Sequence, residues 1–307
     1  MDLLFNNIND GQNELKKTLG FLDGDFSYVN LEPDIKINTA YLIDFIGQSV
    51  YDKLVEDYKD SSKDPLSVSA IDFSRLYLAS MAYLDYAPNN DLTHGNSGRS
   101  FRNEDNEKLP WEWQIDKDNA AISERAYKAL DQLFAILDKS EWTEWTESEA
   151  YKTANKLFIK SAIQFDKAFS INKSSQLYYR LVPFMEDIET DEILPILSES
   201  VVMELKSTEE PSDSQKRLLN QARNALAYLS LAKGLKSFPV EMFPRTLVYA
   251  ENTRMKSQAR AEVMLFMENE GRKHLQKLEN EYGKQTETFT ELKTTNGLEE
   301  GKKYVNL

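Results

Sequence analysis

Apolar residues recur every three or four positions along most of this chain, the period of an α-helix, and alternating strand-like stretches are scarce. From Pro65 the positions Val68, Ile71 or Asp72, Arg75 or Leu76, Ala79, Tyr83 and Tyr86 trace a mostly apolar stripe. Asp64 and Pro65 supply an N-cap and a first-turn proline, and Pro88 is read as the stop. Leu218, Ala222, Ala225, Leu229 and Ala232 mark a second long helix, opened near Ser212 and Asp213 and closed before Pro239. Further helices are predicted over residues 13–22, 33–46, 49–58, 119–137, 147–169, 174–188, 198–206 and 254–282. The fold class expected is all-α.

The two halves carry related patterns. Leu31-Glu32-Pro33-Asp34-Ile35 and Leu181-Val182-Pro183-Phe184-Met185 lie 150 residues apart, and at the same spacing Ile43 and Ile46 meet Ile193 and Ile196. After a one-residue slip, Val50 to Leu54 meets Val201 to Leu205. The long helices then match at Ser80-Met81-Ala82 and Ser230-Leu231-Ala232. Prolines are punctuation set by backbone geometry, so their recurrence near one spacing argues for a duplicated four-helix-like unit over roughly 5–95 and 150–240. The chain is accordingly divided into a first helical repeat (1–95), a polar loop (96–118), a second helical repeat with its leading helix (119–240), an extended segment and long helix (241–283), and a flexible C-terminal arm (284–307).

Residues 89–116, with Asn89-Asn90-Asp91 and His94-Gly95-Asn96-Ser97-Gly98, read as an exposed loop. Its end holds Trp111 and Trp113, rings expected to pack on the helices or on a partner. Trp142 and Trp145 stand three positions apart, either anchoring the next helix or forming a partner-facing hot spot. Thr246 to Tyr249 is the best candidate for an extended segment. The long helix after it carries a narrow stripe of Val263, Met267, His274, Leu278 and Tyr282, suited to one groove or to a neighbouring subunit. The candidate interface residues are therefore Trp111, Trp113, Trp142, Trp145, Val263, Met267, Leu278 and Tyr282.

Composition narrows the chemistry. With 37 Lys and Arg against 51 Asp and Glu, the net charge of −14 repels phosphate backbones, so sequence-specific nucleic-acid binding is disfavoured. The chain lacks cysteine, which removes disulfides, thiolate nucleophiles and cysteine-ligated metals. The N-terminus does not read as a secretory signal, and no apolar run approaches the ~20 residues of a membrane span, so stable membrane association is not expected. His94 and His274 lack a second ligand at helical spacing, no Gly-x-Ser-x-Gly elbow or phosphate-cradling glycine motif is present, and residues 186–192 read as a solvated acidic turn. No catalytic, metal or cofactor site is expected.

Three stretches resemble a known family. They are the Leu31-x-Pro33-x-Ile35 helix, the Ile46-Gly47-x-x-x-Tyr51-Asp52-x-Leu54 stretch, and Phe165-Asp166-Lys167-Ala168-Phe169 continuing to Leu177-Tyr178-Tyr179-Arg180-Leu181. Together they resemble helical virion proteins from phages and prophages of Bacteroides-type gut bacteria, similar to head-to-tail connector or adaptor proteins. The resemblance implies a homo-oligomeric ring beneath the portal, assembled in the host cytoplasm and bound to portal and tail proteins, with DNA passing through an acidic channel. It carries over no catalytic residue. The alternatives are a monomeric cytoplasmic helical-repeat adaptor and an enzyme of unrecognised type.

Overall fold

The structure is a computed structural model, and it describes residues 2–23, 25–60, 64–95, 98–101, 110–237 and 253–286. The fold is all-α, with one two-stranded hairpin among the described residues. The first half contains α1 (Gly11–Leu19), α2 (Tyr28–Ile46), α3 (Gln48–Lys59) and α4 (Pro65–Asn90), then the hairpin β1 (Leu92–Gly95) and β2 (Gly98–Phe101), then α5 (Glu112–Leu137). The short helices α6 (Thr143–Thr146) and α7 (Glu149–Lys156) lead to the second half. That half contains α8 (Ala162–Ala168), α9 (Ser175–Ile188), a π-helical turn (Glu189–Ile193), α10 (Leu194–Leu197), α11 (Glu199–Ser207), α12 (Asp213–Ser237) and α13 (Thr253–Thr286).

Local chemistry explains most boundaries. The Asp64 carboxylate accepts from the Leu66 and Ser67 amides at 2.7 and 3.0 Å, satisfying two orphan donors at the start of α4. Pro88 does not end α4, because a proline in the last turn forfeits only one internal bond and the Asp91 amide still reaches the Ala87 carbonyl. Pro33 and Pro183 sit inside α2 and α9 on exposed faces, so α2 begins five residues earlier than the proline suggests. The helix expected over 147–169 is two helices, capped separately by Ser148 and Ser161. Between them Leu157, Phe158 and Ile159 are all buried, and three consecutive apolar side chains cannot share one face of a helix.

Two hydrophobic cores divide the chain. The first takes its buried residues from Leu4 to Trp145 and the second from Ala154 to Leu278. Helix α5, assigned from sequence to the second repeat, packs on α4 and gives Ala126, Leu130, Leu133, Phe134 and Leu137 to the first core. The polar loop expected at 96–118 contains β2 and the start of α5, with residues 102–109 outside the described set. The extended segment at Thr246 to Tyr249 also lies outside the described residues. So does the C-terminal arm beyond Thr286, whose first residues, 284–286, continue α13.

The duplication is visible in burial and backbone. Tyr28, Leu31 and Ile35 are buried in α2 as Tyr178, Leu181 and Met185 are in α9, 150 positions later. From the end of the π turn Leu42 and Ile46 correspond to Ile193 and Leu197, at 151 positions and not the 150 that pairs Ile43 and Ile46 with Ile193 and Ile196. The π turn absorbs the extra residue, since an i→i+5 turn inserts one position into a helix. Each helix then breaks at the same joint: Gly47 has φ 85° and ψ 153°, Ser198 φ 64° and ψ 156°. In the long helices Ala70, Ile71, Ser74, Tyr77, Leu78, Ala79 and Ala82 match Leu218, Leu219, Ala222, Ala225, Leu226, Ala227 and Ser230 in burial. That register is 148 and not the 150 read from Ser80-Met81-Ala82. The final pairs, α4 with α5 and α12 with α13, complete a repeat of five helices, α1–α5 against α8–α13 with short connecting pieces.

Candidate interaction surfaces

The joint between the halves is built by α5 and the start of α9. Asp131 on α5 and Asp138 at its C-cap lie seven positions apart, hence on one face, beside the buried Phe134. Asp131 accepts from the Ser174 hydroxyl at 3.1 Å and the Gln176 amide at 2.9 Å, holding the N-terminus of α9. Asp138 accepts from Tyr179 Oη at 2.6 Å and Trp145 Nε1 at 3.2 Å. The Tyr179 ring stacks on Phe134 at 4.7 Å and meets Trp145 edge-on at 5.4 Å, so this tyrosine packs against both cores. Burial raises both carboxyls above the usual range, with the hydrogen bonds acting in the opposite sense. Burial, reinforced by the Asp138 charge, raises the Tyr179 phenol as well.

The joint is heterologous: an α5 face of one repeat meets an α9 face of the next. Each repeat therefore has a counterpart of the surface it does not use. By the 150-residue spacing Val29 stands where Tyr179 stands, and Val29 is 70% exposed. Pro33, Ile37 and Tyr41 continue this exposed row at intervals of four. At the other end α13 is the counterpart of α5, because Ala126, Leu130, Phe134 and Leu137 match the buried Met267, Gly271, Leu275 and Leu278. In that register Arg272 stands for Asp131, and Leu265, one heptad before it, is 60% exposed with Phe266 exposed beside it.

The sequence-predicted interface residues separate into three groups. Trp111 and Trp113, at the start of α5, are 72% and 61% exposed and belong to neither core among the described residues. Trp142, Val263 and Tyr282 are half-buried; the Lys53 ammonium lies 4.8 Å from the Trp142 ring. Trp145, Met267 and Leu278 are not contact residues but core, Trp145 fully buried. A narrow stripe on α13 was open to either a groove or a subunit, and the groove on α12 occupies it. There a Cβ added to Gly271 would approach Leu229 Cγ to 2.5 Å, so glycine sets the spacing of the two helices. His274 is partly packed, its Nδ1 2.7 Å from Gln221 Oε1 and its ring stacked on Tyr228 at 5.8 Å. His94 falls on β1, and its side chain lies outside the described residues.

The acidic stretch at 186–192 is not the solvated turn expected from sequence. It is helical, and Glu189 is buried, accepting from the Phe158 amide and pairing with Lys206. Among the described residues no three His, Asp or Glu are grouped to hold a metal, and no helix is long and apolar enough to cross a membrane. The sequence reading missed Asp131, Asp138 and Tyr179. The seven-residue spacing of two acids within the apolar face of α5 was the available signal.

Residues 42–155, from near the end of α2 to near the end of α7, match the model of a family of unknown function, DUF6712. That stretch includes Asp131, Asp138 and all four tryptophans. No curated protein and no solved structure matches the chain.

Proposed function

We propose that the chain is a structural virion protein, a phage head-to-tail connector or tail-ring component that assembles as a homo-oligomeric ring. The observation that supports this most is the heterologous joint between its own repeats, whose α9 face has an exposed, largely apolar counterpart on α2 at Val29, Ile37 and Tyr41, while α13 exposes Leu265 and Phe266 one heptad before the counterpart of the α5 face. A second copy extends the same packing when its α13 docks on α2, and head-to-tail contacts of this kind close into rings or run on as filaments. The resemblance of the three sequence stretches to connector proteins favours the ring. Trp111 and Trp113 face the non-identical neighbours, portal or tail proteins, since large exposed rings clustered at one helix start are costly to leave wet. The role is one of binding, without catalysis.

Native mass spectrometry and electron microscopy of the purified chain test the reading, with a closed ring expected. Val29→Asp with Ile37→Asp spoils one face, and Leu265→Asp with Phe266→Asp spoils the other. Each variant alone is expected to be monomeric, while an equimolar mixture forms a complex of two chains. A wild-type chain that stays monomeric at micromolar concentration overturns the ring and fits the monomeric adaptor instead. Trp111→Ala with Trp113→Ala is expected to leave the melting point unchanged and to abolish capture by portal or tail proteins.

A further inference from the structure

The duplication exposes a difference that neither half shows alone. In the first repeat Glu14 of α1 closes a polar cluster: its Oε1 is 2.9 Å from an Arg75 guanidinium nitrogen and accepts from Tyr58 Oη at 2.7 Å. Its Oε2 accepts from the Asn6 amide at 2.7 Å. The contact with Arg75 is an ion pair and not an aligned hydrogen bond, and the guanidinium also lies over the Phe5 ring at 4.7 Å. Both side chains are largely buried, 14% and 17% exposed.

The second repeat keeps the arginine and loses the carboxylate. Arg223 corresponds to Arg75 in the 148-residue register of the long helices, and Gln164 to Glu14 at 150. Gln164 takes a different backbone partner, its Oε1 accepting at 3.0 Å from the Lys160 amide four residues before it, where Glu14 reaches eight residues back to Asn6. The phenol is gone too, because Glu209 stands where Tyr58 stood, and Lys206 replaces Val55. A cavity of about 310 Å³ opens at this point, lined by Lys160, Gln164, Lys206, Lys216 and Arg223. Lys206 pairs with Glu189 and Lys216 with Asp213. Lys160 and Arg223 form no ion pair among the described residues, and Arg223 makes one hydrogen bond, from Nε to the Phe158 carbonyl at 2.9 Å. Glu209, the acid in the lining, is exposed and likewise pairs with nothing among the described residues.

We infer that this cavity is a binding site for a carboxylate supplied from outside the repeat, which takes the place on Arg223 that Glu14 takes on Arg75. A half-buried guanidinium with free N–H groups and a neighbouring ammonium presents the donor set that carboxylates fit, and Gln164 leaves the position uncharged. Burial already lowers the Arg223 pKa, a mark of a cation held without its counter-charge. The carboxylate comes either from a free organic acid or from an acidic side chain of a second copy.

Glutarate is the probe, titrated into the full chain against sodium chloride of equal ionic strength and followed by calorimetry and thermal shift. Saturable binding and a raised melting point are expected for the wild type. Gln164→Glu supplies the missing charge internally, so it is expected to raise the melting point by itself and to weaken glutarate by about tenfold or more, the effect of one charge-assisted contact. Arg223→Gln is expected to abolish binding, and Glu209→Gln to tighten it. No saturable effect beyond chloride, or equal binding by wild type and Gln164→Glu, overturns the inference. Sedimentation separates the sources: dissociation of wild-type oligomers by glutarate, with weaker association of Gln164→Glu, assigns the carboxylate to a second copy, and unchanged association with glutarate bound assigns it to a free acid. The glutarate arm reads a property of the single chain, so it stands whether or not the ring forms.

Discussion

The two repeats share a frame and differ in how they finish it. In the first, α3 buries Val50, Tyr51, Leu54, Val55 and Tyr58, and the N-terminal residues close over Arg75 through Glu14. In the second, α11 buries only Leu205, Lys206 takes the place of Val55, and the space beside Arg223 stays open. The frame survives because it depends on apolar positions at helical spacing and on one broken joint between helices. The cluster at its side is polar, and polar clusters are replaced one residue at a time without disturbing that spacing. Duplication thus leaves one copy sealed as structure and the other free to acquire a ligand.

Breaking the joint between the repeats carries the largest expected effect. Trp145→Ala removes a fully buried ring that touches Phe134, Tyr151 and Tyr179, and a loss of about 3–5 kcal/mol is expected in urea unfolding. Gly271→Ala strikes the second repeat alone, where the added methyl meets Leu229, and a loss of about 1–3 kcal/mol is expected. Hydrogen exchange should show protection falling in α12 and α13 while α4 and α5 keep theirs. Glu14→Gln gives the first repeat the chemistry of the second, leaving Arg75 largely buried without its carboxylate. A loss of roughly 1–3 kcal/mol by urea unfolding checks it.

A smaller change sharpens the comparison in the opposite direction. Ser198 adopts, at φ 64° and ψ 156°, a conformation that the first repeat entrusts to Gly47, and a side chain there is strained. Ser198→Gly is therefore expected to stabilise by roughly 1 kcal/mol in thermal unfolding. The smallest effect is a slope. Burial raises the folded pKa of Asp131 and Asp138 above 3.8, so between that value and the folded pKa the folded chain holds more protons than the unfolded one. Their contribution to stability consequently falls as pH rises through that window and recovers on acidification. Asp131→Asn with Asp138→Asn keeps oxygen acceptors but removes the titration. Chemical unfolding as a function of pH should show the variant gaining on wild type as pH rises through the window.

Much of the frame was legible in the residues. The all-α class, the start of α4 at Asp64 and Pro65, and the paired patterns around Pro33 and Pro183 each follow from residues within a few positions of one another. A one-residue slip between the halves was also visible, but the sequence pattern places it after Ile196, whereas the π turn at 189–193 introduces it before Ile193. Less of the interaction surface was readable. Four tryptophans look alike in sequence, yet Trp145 is interior and Trp111 exposed, because the first packs against Tyr179 from the other repeat while the second joins neither core among the described residues.

By itself the sequence determined the all-α class, most of the helices in their order and the fact of duplication, since periodicity, caps and backbone restrictions act over a turn or two of chain. Only the tertiary structure decided that α5 belongs with α4, that the long helices align at 148, and that Arg75 has a carboxylate where Arg223 has a cavity. Those outcomes rest on contacts between residues tens of positions apart, and local pattern does not encode which faces meet.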